Sequence, residues 1–224
     1  MNLLILAIAP VMLVLVFIYF KDKFEKEPIP FLAKNFFLGA FASILITSIL
    51  SIILSRIFPL LDEMSFSQQL IKAFIVVALV EEFSKYIVVK YYAQNNKEFN
   101  EPFDGIVYAV MVSMGFAALE NVLYVFQYGI STGIIRAFTA VPAHATFGIL
   151  MGYFMGKAKF SKNKVKYNLI GLLIATIFHG AYDFFLFINF IPGTIIGAIF
   201  SLIIGIVLAN KAIKKHQKNS IFKV

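Results

Sequence analysis

Apolar residues gather into seven long runs along this chain, 3–20, 31–55, 69–92, 103–127, 134–157, 167–190 and 191–210, parted by short polar or charged connections. A helix rises 1.5 Å per residue, so about 20 apolar residues cross the ~30 Å hydrocarbon layer of a bilayer. The pattern predicts an all-α fold, a polytopic transmembrane helical bundle of about seven spans, with residues 1–224 forming a single integral membrane domain. Length alone also admits an eighth span. Pro142, inside the fifth run, predicts a bend there. The segment QYGISTG (127–133) reads as a short external turn, and the stretch after residue 210 as a lysine-rich tail.

Composition agrees with a membrane class. The chain is 60% apolar and only 14% charged, where soluble domains have about 45–50% and about 25%. There is no cysteine, which excludes disulfides, thiolate metal sites and cysteine nucleophiles. The net charge of +8 changes the picture through its placement. Sixteen of the twenty Lys and Arg fall in alternate connections or at the run ends that flank them, around the junctions after the first, third, fifth and seventh runs. By the positive-inside rule those connections are cytoplasmic, giving a multi-pass plasma-membrane protein with its N-terminus outside and its C-terminus inside. The flanks of the first run, with Lys21 and Lys23 only after it, are the reverse of a cleaved signal peptide and predict a retained helix. The basic connections suit anionic lipid; nucleic acid is not an expected partner.

Within these runs lie ionisable residues that insertion disfavours by roughly 2.5–3.5 kcal/mol each. Glu81 and Glu82 interrupt the third run, with Lys85 one turn on. Asp104 opens the fourth and Glu120-Asn121 lies deeper in it. Arg136 and His144 fall in the fifth, His179 and Asp183 in the sixth. Glu81, His144 and His179 each sit about halfway along their runs, which predicts one shared level near the midplane. Small residues recur every fourth position as Ala140, His144, Gly148, Gly152 and Gly156; as Gly171, Ala175, His179 and Asp183; and as Gly105, Ala109, Ser113, Ala117 and Asn121. Such stripes let helix backbones approach, so the polar members face other helices rather than lipid.

Simpler roles exist for several of these groups. Glu81 and Lys85 are a favourable i,i+4 pair that neutralises one of the two glutamates. Glu120-Asn121 suits interhelical hydrogen bonding as well as catalysis. Asp104 suits a helix start, bonding backbone N–H groups. Arg136 suits an interfacial anchor or a partner for a buried carboxylate. His216 falls in the tail. For the remainder, a carboxylate beside a neutral histidine can deprotonate water, and a second histidine with a neighbouring carboxyl can stabilise the oxyanion formed on a carbonyl. Peptide-bond hydrolysis within the membrane fits that set.

The segments EEFSK (81–85), FDGIVYAVMVSMGFAALEN (103–121), RAFTAVPAHATFGILMG (136–152) and FHGAYDF (178–184) resemble, in order, the motifs of the PrsW family of intramembrane proteases, relatives of the CAAX-processing and Abi proteins. The motif-bearing core is 67–190. The resemblance implies a glutamate-type endopeptidase with catalytic residues Glu81, Glu82, His144, His179 and Asp183, supported by Lys85, Glu120, Asn121 and Arg136. By analogy with the CAAX enzymes, one glutamate and His144 activate water, while His179 and Asp183 form the oxyanion side. Two positions depart from the CAAX pattern: Tyr86 where an arginine is usual, and Asp183 where an asparagine is usual. The implied substrate is a membrane protein or peptide, such as a single-pass protein of the anti-sigma-factor kind.

No cofactor is required by this scheme and no metal is expected. Glu, His and His are nevertheless acceptable zinc ligands, so a zinc protease stays open although the chain lacks HExxH. A proton-coupled transporter would also use buried Glu, His and Asp, but it predicts an inverted repeat that the sequence does not show. The intact polar set argues against a non-catalytic scaffold. Composition and spacing leave the oligomeric state open.

Overall fold

In the computed structural model, which describes residues 2–223, the described residues form helices and their connections, with no strand among them. In chain order these are α1 (Leu3–Lys21), α2 (Ile29–Ile57), α3 (66–93), α4 (Asp104–Tyr128), α5 (Ile130–Lys159), α6 (Lys164–Phe187) and α7 (Thr194–Lys218). All but α3 are long and apolar enough to cross a membrane. The α3 helix has the length, but Lys72, Glu81, Glu82, Lys85 and Lys90 lower its apolar content. The protein is thus a polytopic membrane helical bundle.

Local chemistry sets the helix ends. The Asn2 side chain accepts from the Leu4 N–H at 3.0 Å to cap α1. Pro30 occupies the first turn of α2, where its missing N–H costs nothing. Gly129 and Gly193, at φ 83° and 84°, turn the chain from α4 into α5 and from α6 into α7 in a conformation that favours glycine. The bend expected from Pro142 is present as a break at Thr139 (φ −124°, ψ −74°). A proline ring clashes with the carbonyl four residues back, here that of Phe138, so the helix parts one turn early into Ile130–Phe138 and Ala140–Lys159.

Two sequence expectations need correction. Most of the supposed turn 127–133 is helical, because Gly129 alone reverses the chain. The lysine-rich tail is also helical, as α7 continues to Lys218. Ala209, Ala212, Ile213 and His216 recur at helical spacing and are all buried, and basic residues suit a helix C-terminus. His216 is therefore not in a solvated tail; its ring lies 4.4 Å from that of Tyr153.

The centre of the bundle is α4, 78% buried along its apolar window, against 17% for α1 and α2 and 22% for α7, whose Leu, Ile and Phe side chains face outward as a lipid-exposed belt. The small-residue stripes of α4 and α5 face each other as expected. A Cβ added to Gly105 would come within 2.5 Å of the Gly152 carbonyl oxygen and the Gly156 nitrogen. Ser113 donates to the His144 carbonyl at 2.7 Å. The α6 stripe meets α5 through Gly171, beside Met151. On its other side α4 packs against α2, where Gly39 and Gly115 permit close contact.

Candidate active site

Ahead of the two glutamates, α3 widens into π turns over Lys72–Leu79 before regular α geometry resumes at Val80–Val88. Such turns shift the phase of everything that follows and recur near functional sites. Adjacent helical residues point about 100° apart, so Glu81 and Glu82 serve different surroundings. Glu82 is fully buried; its Oε1 accepts from Lys85 Nζ at 2.7 Å. Glu81 lines a cavity, and its Oε2 has no hydrogen-bond partner. Lys85 stands 3.7 Å from that oxygen. The pairing expected from spacing is thereby reversed: Lys85 chiefly neutralises Glu82 and leaves Glu81 to the cavity. The reason lies outside α3, because Lys85 is held 4.3 Å over the Phe116 ring and 3.3 Å from His144 Nδ1.

His144 comes from α5, below the Thr139 break. An ammonium can only donate, so Nδ1 accepts from Lys85 and the proton sits on Nε2, which donates to Glu120 Oε2 at 2.9 Å. That same carboxylate oxygen accepts from Arg136 Nη2 at 2.6 Å, and Arg136 Nε donates to Asn121 Oδ1 at 2.7 Å. Arg136 is thus the partner of a buried carboxylate rather than a free interfacial anchor. Asn121 donates in turn to the Ala7 carbonyl at 3.3 Å, joining α1 to the site's support. Glu120 both braces His144 and lines the cavity.

His179, from α6, lies between two carboxylates. Its Nδ1 is 2.9 Å from Glu82 Oε1 and its Nε2 is 3.3 Å from Asp183 Oδ2. Phe147 stacks on the ring at 4.8 Å and 17°, fixing its plane. Because Asp183 lines the cavity and Glu82 does not, the Nε2 edge is the one turned toward the open space. The His144 and His179 rings stand perpendicular with centroids 5.4 Å apart.

The cavity, about 540 Å³, collects Glu81, Glu120, Arg136, His144, His179 and Asp183 from α3, α4, α5 and α6. It extends toward Lys72, Ile135, Phe187 and Ile195, at the end of the bundle where α3, α5 and α7 begin. Tyr124 and Tyr182 also line it and were not singled out in the sequence. Their only signal is i,i+4 spacing after Glu120 and placement three residues after His179. Asp104 lies elsewhere: about sixteen residues, or ~24 Å of helix, separate it from Glu120. Its Oδ2 accepts from the Asn100 and Glu101 N–H groups, both at 2.7 Å, so it ties down the connection before α4 rather than capping the helix N–H groups as its position suggested.

Near Asp104 a second acidic group, Asp22, Glu27 and Glu101, is buried in the connections. Burial raises Asp22 to about 6, opposed by Lys26. Burial, with Asp104 beside it, raises Glu27 to about 10.

The cavity cluster holds four carboxylates, Glu81, Glu82, Glu120 and Asp183, against the cations Lys85 and Arg136. Two negative charges remain, a load that protons on the site or a divalent ion would balance. One ligand atom each from Glu81, His144 and His179 lies within 4.8 Å of the others. These are the donor types of a catalytic zinc site with three protein ligands, and Glu120 on His144 Nε2 and Glu82 on His179 Nδ1 stand behind the two imidazoles as carboxylates commonly do behind metal-bound histidines. The unpartnered Glu81 Oε2 fits such an ion, so the donor set passes this test.

Comparison with known proteins adds the following. The profile of a family described as "PrsW family intramembrane metalloprotease" matches residues 27–214. "Protease PrsW" of Geobacillus kaustophilus is 39% identical over 80% of this chain and 77% of its own length. "Protease PrsW" of Clostridioides difficile is 33% identical over 99% of this chain and 95% of its own. "Protease PrsW" of Bacillus subtilis is 35% identical over 80% of each. No solved structure gives a significant match.

Proposed function

We propose a mechanism for this chain, which belongs to the PrsW family and is a membrane-embedded peptidase: Glu81 acts as the general base that activates water against a peptide bond of a membrane-associated substrate. The observation that carries it is the Glu81 carboxylate. It lines the cavity with Lys85 no nearer than 3.7 Å, while every other acid of the cluster has an oxygen held by a cation or an imidazole at 3.3 Å or less. A base must reach its proton, and a carboxylate already bonded to Lys or Arg cannot.

Water bound between Glu81 and the imidazoles gives its proton to Glu81 as its oxygen attacks the scissile carbonyl carbon. The carbonyl π electrons move to oxygen, and the His179 Nε2–H edge supplies the donor that stabilises this oxyanion once Asp183 yields the 3.3 Å contact. Collapse of the intermediate breaks the C–N bond, and Glu81 returns its proton to the leaving amine. Glu82 and Lys85 hold His179 and His144 in place from the buried side. Under the expected orientation the cavity opens to the outer face, so a single-pass protein unwound near that leaflet presents its peptide bonds to Glu81.

A second reading has its own support, in the three donors within 4.8 Å and in the family description. Glu81, His144 and His179 would hold a divalent ion, which would supply a Lewis acid and an activated water. Lys85 would then have to leave the ring nitrogen it now bonds.

Co-expression with candidate single-pass membrane proteins tests the peptidase, comparing wild type with Glu81→Gln and His179→Gln. Cleavage by wild type alone is expected; unchanged cleavage by both variants sinks the assignment. Metal analysis of the purified protein and activity after strong chelation separate the two readings. Retained activity in protein stripped of metal supports the side-chain base, and activity lost on chelation and restored by a divalent ion supports the metal.

A further inference from the structure

Two apolar grooves run along the lipid-facing surface of α7, and they differ in charge. One, about 280 Å³, is shared with α1 and α5 and has only Asn210 as a polar member besides Thr146. The other, about 360 Å³, lies between α5, α6 and α7. Phe154, Ile174, Phe178 and Leu208 form its walls, and Lys211 and Lys215 close it at the end where α7 finishes. Lys211 and Lys215 follow Leu208 by about 4.5 and about 10 Å along the helix, so both ammonium groups border the same end of the apolar wall. Ala212, between the two lysines, leaves the concavity open.

The lysines have no counter-charge of their own. They are like charges at i,i+4, an arrangement that disfavours a helix by a few tenths of a kcal/mol. Among the described residues neither forms an ion pair, and both are exposed. Lys157 on α5 is differently engaged: its Nζ lies 4.7 Å from the centre of the Tyr167 ring and 5.6 Å from that of Tyr153. A hydrocarbon slot ending on two unpaired ammonium groups at the bundle's edge complements one ligand shape, a chain with an anionic head.

We infer that this groove is a binding site for an anionic phospholipid, with an acyl chain along the α5–α6–α7 slot and the phosphate between Lys211 and Lys215. The apolar walls contribute area and the lysines contribute selectivity, since basic pockets between helices hold acidic headgroups. The uncharged groove beside α1 takes any lipid chain without regard to its head.

Native mass spectrometry of the full chain, released from neutral detergent after titration with phosphatidylglycerol or phosphatidylcholine of identical chains, tests this. Wild type is expected to retain phosphatidylglycerol at least tenfold better than phosphatidylcholine. Lys211→Gln with Lys215→Gln should abolish that preference, and Ala212→Leu, which fills the slot, should weaken retention. Lys162→Gln with Lys164→Gln, outside the groove, should change neither, which also guards against a general charge effect. Equal retention of the two lipids by wild type overturns the site, as does a preference that survives in the Lys211/Lys215 variant. So does full competition by glycerol 3-phosphate, which marks a plain anion site without a chain slot.

Discussion

Glutamine at position 81 is isosteric with glutamate but cannot take a proton from water. A positioned general base contributes about 10²–10⁴ in rate, which at 1.36 kcal/mol per tenfold is about 3–5 kcal/mol of barrier. The fold should hardly notice, because Oε2 makes no hydrogen bond and its nearest cation, Lys85, is 3.7 Å away. A stability change under about 1 kcal/mol is expected. Glu82→Gln is the contrasting change. It removes the charge that meets Lys85 at 2.7 Å in a fully buried setting, and stripping one partner from a buried pair costs about 3–5 kcal/mol. The two neighbours should therefore separate: Glu81→Gln folded and inactive, Glu82→Gln destabilised first and inactive as a consequence. Substrate cleavage in membranes and thermal melting in detergent give the two readouts. Adding Lys85→Met to Glu82→Gln should recover much of the melting temperature, since the orphaned ammonium is gone. Cleavage by Glu81→Gln within tenfold of wild type, with Glu82→Gln melting normally, would refute the division of labour drawn here.

Other outcomes follow from the same contacts. Gly105→Ala should push α4 from α5, because the new Cβ meets backbone atoms at 2.5 Å; a loss of about 1–3 kcal/mol in melting experiments is expected, with reduced cleavage as His144 moves off Glu120. Arg136→Lys keeps the charge but loses the fork that serves Glu120 and Asn121 together; a fall in cleavage of about tenfold or more is expected at normal expression. Asp22 gives a pH signature. Its carboxyl titrates near 3.8 unfolded and about 6 folded, so between those values the folded state holds more protons and stability rises as pH falls. The melting temperature of wild type should climb from pH 6 to pH 4 more than that of Asp22→Asn, and parallel curves would remove Asp22 as the cause.

The seven helices, the membrane class and the family were legible in the chain because each depends on local pattern. Apolar run length reports crossing capacity, and lysine placement points to an orientation. Four-residue small stripes mark the α4–α5 seam in the sequence itself, since helical periodicity alone puts Gly105 and Gly152 on packing faces. Which glutamate stands free was not legible. Spacing gave Lys85 to Glu81 at i,i+4, yet Phe116 from α4 and His144 from α5 draw the ammonium toward Glu82. Nor could spacing find the π turns of 72–79, the bond between Arg136 and Glu120, or the burial of His216 under Tyr153. A periodic pattern fixes which face of a helix turns inward; the partners waiting on that face come from helices distant in sequence, and only their packing decides which charge is cancelled and which is left to act.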